Sequence, residues 1–197
     1  MSKRTLDQGL AIVMVGLPAR GKTYIARKLC RYLSWLGYQA KVFNVGNYRR
    51  ERHGDHVPPS FFDPGNEEAW RQRREVAAEA LDDLMNWCAA EGQIGIYDAT
   101  NSTRERRAYV QGRCEAAGLR VLFVETVCDD PAVIDVNIRE TKLSAPDYRG
   151  TDPEEAARDF RERLQHYEHA YEPVSDDDLA FIKVIDVGRQ VIANRIQ

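Results

Sequence analysis

The chain is poor in the residues that build metal clusters and disulfide scaffolds, with four cysteines and four histidines among 197 residues. Cys30, Cys88, Cys114 and Cys128 stand far apart and form no CxxC pair, which argues against a zinc site and a disulfide framework and suits a reducing, cytoplasmic setting. Long apolar runs are also missing, so no segment reads as a membrane span. Lys3 and Arg4 ahead of residues 10–15 imitate a signal peptide, but that run is short and leads straight into Arg20 and Lys22, which marks it as a buried strand. Charge of one sign is not in excess: 28 basic against 31 acidic residues leave a net charge of -3, with no general pull toward nucleic acid or an anionic membrane. Any anion binding must therefore be local. Repeats, low-complexity tracts and interdomain linkers are absent as well, and 43% hydrophobic residues suffice for one core, so residues 1–197 are expected to form one domain.

What is present is an alternation of short β-rich runs with longer stretches of helical period. That is the pattern of an α/β fold with a mostly parallel sheet covered by helices on both faces. The expected strands are 10–15, 40–45, 93–98, 119–127 and 179–186. Between the first two, Ile25, Leu29, Tyr32, Leu33 and Leu36 recur at helical spacing and stop at Gly37, a suitable residue just past a helix end. A second helix is expected over 67–90 with Ala77, Ala80, Leu81, Leu84 and Cys88 on one face. Asp152, Pro153 and Glu155 spell a helix start, and the helix they open should turn Ala157, Phe160, Leu164, Tyr167 and Tyr171 inward. Segment 53–65, with three prolines and two glycines, reads as a long loop, and Asp176, Asp177 and Asp178 as a solvated acidic turn.

The string Gly16, Leu17, Pro18, Ala19, Arg20, Gly21, Lys22, Thr23 matches GxxxxGK[ST], follows an expected strand and opens an expected helix. The glycines permit a turn whose N–H groups converge on phosphate oxygens, and the helix adds unpaired N–H groups and a positive dipole end. ATP with Mg²⁺ is the implied ligand: Lys22 would hold the β- and γ-phosphates and the Thr23 hydroxyl would ligate the metal. Asp98 closes another expected strand, where a carboxylate can approach that metal. It has three readings: organising Mg²⁺ through water, accepting the proton of an attacking hydroxyl, or capping the next helix, a task open equally to Ser102 or Thr103.

No NKxD string reads guanine, which turns the reading away from a GTPase switch and toward transfer to an acceptor. Arginines gather after the strand ends: Arg49, Arg50 and Arg52; Arg71, Arg73 and Arg74; Arg104, Arg106 and Arg107. Open α/β sheets bind ligands outside the carboxyl ends of their strands, so arginines there can converge on a second anion. A solvated surface charge is the competing reading of any single one.

The strings GLPARGKTYIARKL, VFNVGNYRRE, YDATNSTRERR, VCDD, NIRETKLSAPDY, RLQHYEHAYEP and IKVIDVG occur in this order. Together they resemble the kinase domain of the bifunctional 6-phosphofructo-2-kinase/fructose-2,6-bisphosphatase family across nearly the whole chain. The resemblance implies transfer of the ATP γ-phosphate to the 2-hydroxyl of fructose 6-phosphate, giving fructose 2,6-bisphosphate. It implies sugar-phosphate binding by Arg49, Arg73, Thr100, Arg106, Lys142, Arg163 and Tyr167, and catalytic roles for Asp98 and Cys128. Residues 137–142, with Asn137 and Lys142, and the loop continuing to Tyr24 are implied to contact ATP. Lys22, Mg²⁺ and Lys142 would compensate charge as the phosphoryl moves. Independently, Arg163 and Tyr167 lie four apart and share one helical face, whereas Tyr167 and Cys128 also read as core residues.

The animal members continue into a histidine-phosphatase domain that these 197 residues are not expected to contain. Arg52-His53-Gly54 spells the phosphatase signature but has no strand before it to aim His53, so no phosphohistidine is expected. Asn47 stands where the family often has an acid and Ala145 where it often has serine. The alternatives are a P-loop kinase for a polynucleotide 5′-hydroxyl or a nucleoside monophosphate, and an ATP-binding regulatory module without transfer. No nucleic-acid or membrane partner is expected, and a homodimer is compatible with the resemblance.

Overall fold

In the computed structural model, residues 4–63, 65–142, 145–175 and 179–196 are described. Strands β1 (Leu10–Val15), β2 (Ala40–Asn44), β3 (Ile94–Asp98), β4 (Arg120–Val127), β5 (Phe181–Ile185) and β6 (Gln190–Asn194) form one sheet in the order β2-β3-β1-β4-β5-β6. Every pairing is parallel except β5 with β6. The helices are α1 (Lys22–Trp35), α2 (Val45–His53), α3 (Glu67–Ala90), α4 (Arg104–Ala116), α5 (Pro131–Asn137) and α6 (Pro153–His169).

Strand alternation decides which helix covers which face. Ile12 and Met14 of β1, with Ile94, Ile96 and Val124, pack against Ala26, Ile25, Leu29 and Leu33 of α1. Ala11, Val13 and Val15, with Tyr97 and Phe123, face Ala80, Leu81 and Leu84 of α3 and Val110 and Cys114 of α4. The sheet is thus covered on both faces, the architecture expected from the alternating pattern. A third, smaller cluster joins Ala19 of the phosphate loop to Ile138, Tyr148, Ala156 and Phe160, which seats α6 beside that loop.

The glycine past α1 has φ 98, as its position requires. Asp152 caps α6 by accepting from the N–H groups of Glu154 and Glu155. Four local expectations are corrected. Val45 opens a helix instead of ending a strand, because Asn44 caps it through the Asn47 N–H at 3.0 Å. Segment 53–65 begins with the last residue of α2 and carries a 3₁₀ turn, Pro59–Phe62. Tyr32 is 56% exposed and points outward. Tyr171 lies beyond the end of α6, where its hydroxyl bonds the buried Glu125. Strand β6 escaped the sequence reading because it is an exposed edge strand lacking apolar alternation. Asp176, Asp177 and Asp178 lie outside the described residues. No described helix is long and apolar enough to cross a membrane.

Candidate active site

The phosphate loop leaves β1 at Gly16, whose φ of 135 lies outside the range that side chains favour. A Cβ there would stand 2.5 Å from the Thr126 carbonyl oxygen, so only glycine lets the loop pass β4 this closely. The Gly16 N–H donates to the Thr100 carbonyl at 3.0 Å, and Asn137 Nδ2 donates to the Ala19 carbonyl at 3.1 Å. Neighbouring elements therefore brace the loop at its start and in its middle.

Gly21 is the N-cap of α1, with no side-chain cap and no acidic residue in the first turn, so the electropositive helix end is left to a ligand. Lys22 is 8% exposed and its Nζ lies 2.6 Å from the Leu17 carbonyl. Arg20 turns from the loop interior to the Pro18 carbonyl at 3.3 Å and to Glu168 at 3.5 Å. Thr23 is half-buried, whereas Tyr24 is exposed under Lys28, outward on α1. This donor set fits a polyphosphate with its metal: backbone donors, one buried ammonium, and a hydroxyl from Thr23 with a carboxylate from Asp98 as the oxygen groups for Mg²⁺.

Asp98 ends β3 beside β1 and is 3% exposed. It accepts a hydrogen bond from Asn44 Nδ2, its register partner on β2. The capping alternative falls to Thr103, whose Oγ1 accepts from the Arg106 N–H at 3.2 Å at the start of α4. Asn101, φ 44 and buried, donates to the Met14 carbonyl at 2.7 Å, so the connection after Asp98 is bonded to β1 as well as to Gly16.

Arg49 and Arg73, one from each of the first two arginine clusters, and Arg163 all reach the backbone of residues 54–63. Arg49 of α2 is 6% exposed, donates to the carbonyls of Gly54 and Asp55 at 3.3 Å each, and is ion-paired with Asp147. Arg73 of α3 donates to the carbonyls of Phe61 and Asp63, and burial holds its guanidinium below its ordinary range. Arg163 of α6 pairs with Asp159 at 2.8 Å, donates to the Val57 carbonyl at 3.0 Å and lies over the rings of Phe62 and Tyr148. Burial raises the Tyr167 phenol, and the charges of Arg73, Arg163 and Arg49 all oppose that rise, so one hydroxyl stands within the field of three guanidiniums.

Arg106 forms a neighbouring arm. Its guanidinium donates to the Tyr97 hydroxyl at 2.7 Å, which donates to the Ala77 carbonyl at 2.6 Å, one helical turn beyond Arg73. The other arginines go elsewhere. Arg52, Arg71 and Arg74 pair with surface glutamates, Arg50 joins Asp147, Arg104 donates to Ser175, and Arg107 is buried against the carbonyls of Asn101, Glu172 and Pro173.

Thr100 is half-buried, with its carbonyl on the Gly16 N–H. Cys128 is 5% exposed just past β4, as a small packed residue would be. Lys142 closes the π turn Ile138–Lys142, and its side chain falls outside the description. Sequence reasoning missed Asn44 and Tyr97. The first was legible as a helix cap, three residues ahead of the N–H it accepts; the second had no signal, since a strand tyrosine packed beneath a helix looks like core.

The sequence model of the family described as 6-phosphofructo-2-kinase matches residues 1–197. The chain is 51% identical over 191 residues to a 6-phosphofructo-2-kinase/fructose-2,6-bisphosphatase 3 of Rattus norvegicus, covering 94% of this chain and 34% of the relative. A probable 6-phosphofructo-2-kinase of Schizosaccharomyces pombe is 48% identical over 198 residues, covering 97% and 30%. The chain thus spans about a third of the length of these relatives. Among solved structures, Chaetomium thermophilum Kti12 in complex with ADP-AlF3 superposes with TM-score 0.62 at 18% identity, covering 88% of each chain. The Mycobacterium tuberculosis APS kinase CysC in complex with AMPPNP and APS gives 0.57 at 16% identity, covering 90% of this chain and 88% of its own. At such identities the likeness is one of fold.

Proposed function

The chain belongs to the 6-phosphofructo-2-kinase family, and from that premise we propose that it transfers the γ-phosphoryl group of ATP to the 2-hydroxyl of fructose 6-phosphate. The observation that carries the reading is that Arg49, Arg73 and Arg163, from three different helices, all donate to the backbone carbonyls of residues 54–63, with Arg163 over the Phe62 ring and that ring against Tyr167. A kinase whose acceptor already bears a phosphate needs two anion sites, and in this reading the arginines supply the second.

In this reading the loop 16–23 and the first turn of α1 bind the polyphosphate, and Lys22 leaves the Leu17 carbonyl for the transferring group. Thr23 would ligate the metal and Asp98 would organise it through water, and when bound the metal would neutralise charge on the phosphoryl oxygens. Arg49, Arg73 and Arg163 grip the 6-phosphate, Tyr167 hydrogen-bonds it, and Arg106 and Thr100 orient the sugar toward Asp98. Asp98 then takes the proton of the attacking hydroxyl. Asn137 and Lys142 belong to the nucleotide side, Lys142 adding charge between the sites, and Cys128 serves as packing.

The decisive assay is incubation with Mg·ATP and fructose 6-phosphate. A phosphate on an anomeric carbon hydrolyses readily in acid, so the product should be an acid-labile bisphosphate. An acid-stable bisphosphate, or turnover only with nucleoside monophosphates or polynucleotide ends from an acceptor panel, would overturn the reading. Within the same assay, Arg106→Leu should raise the KM for fructose 6-phosphate far more than that for ATP.

A further inference from the structure

Asn44 sits between the carboxylate and the acceptor helix and bonds both. It ends β2 directly opposite Asp98, which ends β3 in the same register. Its Oδ1 accepts from the Asn47 N–H at 3.0 Å and caps α2, while its Nδ2 donates to Asp98 Oδ2. The orientation of the amide is not arbitrary. Its oxygen is its one acceptor and a backbone N–H takes it, so the NH₂ end must face the carboxylate.

We infer that Asn44 is a positioning residue for phosphoryl transfer, fixing the Asp98 carboxylate and keying it, through the α2 cap, to the helix that presents Arg49. The inference rests on the proposed role of Asp98 between donor and acceptor. Holding one carboxylate oxygen leaves the other to the reacting groups, and a base that must lie within hydrogen-bond reach of one hydroxyl cannot be left to rotate. The α2 cap adds a second constraint. Asn47 and Arg49 belong to the first two turns of α2, so the amide that aims Asp98 also anchors the start of the element carrying an acceptor arginine. A helix cap alone would not require asparagine, because serine and aspartate cap equally well.

That difference supplies the test, made on the 197-residue protein by steady-state kinetics with Mg·ATP and fructose 6-phosphate. Asn44→Ser keeps a cap but lacks an arm that reaches the next strand. Asn44→Asp keeps the cap and sets a like charge against Asp98. Each should lower kcat about tenfold or more with both KM values within about twofold; Asn44→Ser should melt within a few degrees of the parent, whereas Asn44→Asp should melt lower because of the like charge. In an Asp98→Asn background, itself slowed, Asn44→Ser should cause no further loss, since it acts through a group already disabled. Full kcat in both single variants, or the same fold-loss with and without Asp98, would overturn the inference while leaving the kinase reading intact. An inactive parent enzyme, or one indifferent to Asp98→Asn, would overturn the functional reading and this inference with it.

Discussion

The Asp147 carboxylate is paired with the guanidinium of Arg49, 98 positions earlier in the chain, and both side chains are largely buried. A second arginine, Arg50, reaches the same carboxylate at 3.4 Å. In the proposed reaction the sugar's 6-phosphate competes with Asp147 for Arg49. Asp147→Asn keeps a hydrogen-bond acceptor but removes the competing charge, so the KM for fructose 6-phosphate should fall roughly threefold to tenfold. Initial rates at varied sugar and saturating ATP check this; an unchanged or raised KM would show that Asp147 aims Arg49 instead of competing for it.

Tyr97 tests the neighbouring arm. Tyr97→Phe removes the hydroxyl that Arg106 donates to and that bonds the Ala77 carbonyl, leaving the aromatic packing in place. The KM for fructose 6-phosphate should rise about fivefold or more while that for ATP stays level, and the fold should lose about 1 kcal/mol. Parallel kinetics and denaturant titration separate the two effects.

Gly16→Ala examines the phosphate loop. The added methyl would meet the Thr126 carbonyl oxygen at 2.5 Å on a backbone with φ 135, so the loop must shift or the variant must fold poorly. Nucleotide affinity should fall about 100-fold or more, measured by calorimetry with ATP, in any folded material recovered.

Alkaline conditions should destabilise the protein by a predictable route. Burial pushes the Cys114 thiol from 9.0 up to about 12 and the Tyr97 phenol from 10.0 up to about 12. Above pH 9.0 the unfolded chain releases the thiol proton while the folded chain keeps it, so stability present at neutral pH declines until the folded thiol ionises near 12. Each such group contributes a slope of up to about 1.4 kcal/mol per pH unit. Melting temperatures should be level near neutral pH and fall increasingly above about pH 8 to 9, with a shallower fall in Cys114→Ala.

The sheet was legible because its signals are local. Alternating apolar runs marked the five strands that belong to the parallel pattern, and the GxxxxGK[ST] string fixed which of them leads to the phosphate site. The arginine clusters suggested a second anion site but could not say which member turns inward. That depends on helix phase: Arg49, Arg73 and Arg106 fall on faces directed at other elements, while Arg52, Arg71 and Arg74 fall on faces with surface glutamates. Helix α2 was missed because Asn44, whose residue type suits a cap, is also the last residue of a strand and was absorbed into the run 40–45. Tyr97 was hidden because only its terminal oxygen distinguishes it from packing, and a pattern of apolar positions carries no information about a hydroxyl.

The carbonyls of Gly54, Asp55, Val57, Phe61 and Asp63 all accept from the acceptor arginines. Long guanidinium side chains carry about 2 kcal/mol of rotamer entropy each. Here Arg49, Arg73 and Arg163 have already given up that freedom to the backbone of residues 54–63, before any sugar arrives. An incoming dianion that took over these donors, as the proposed reaction requires, would therefore freeze little that was moving. In the proposed reaction, the three charged contacts would thus be made at a smaller entropic cost than three free arginines would incur.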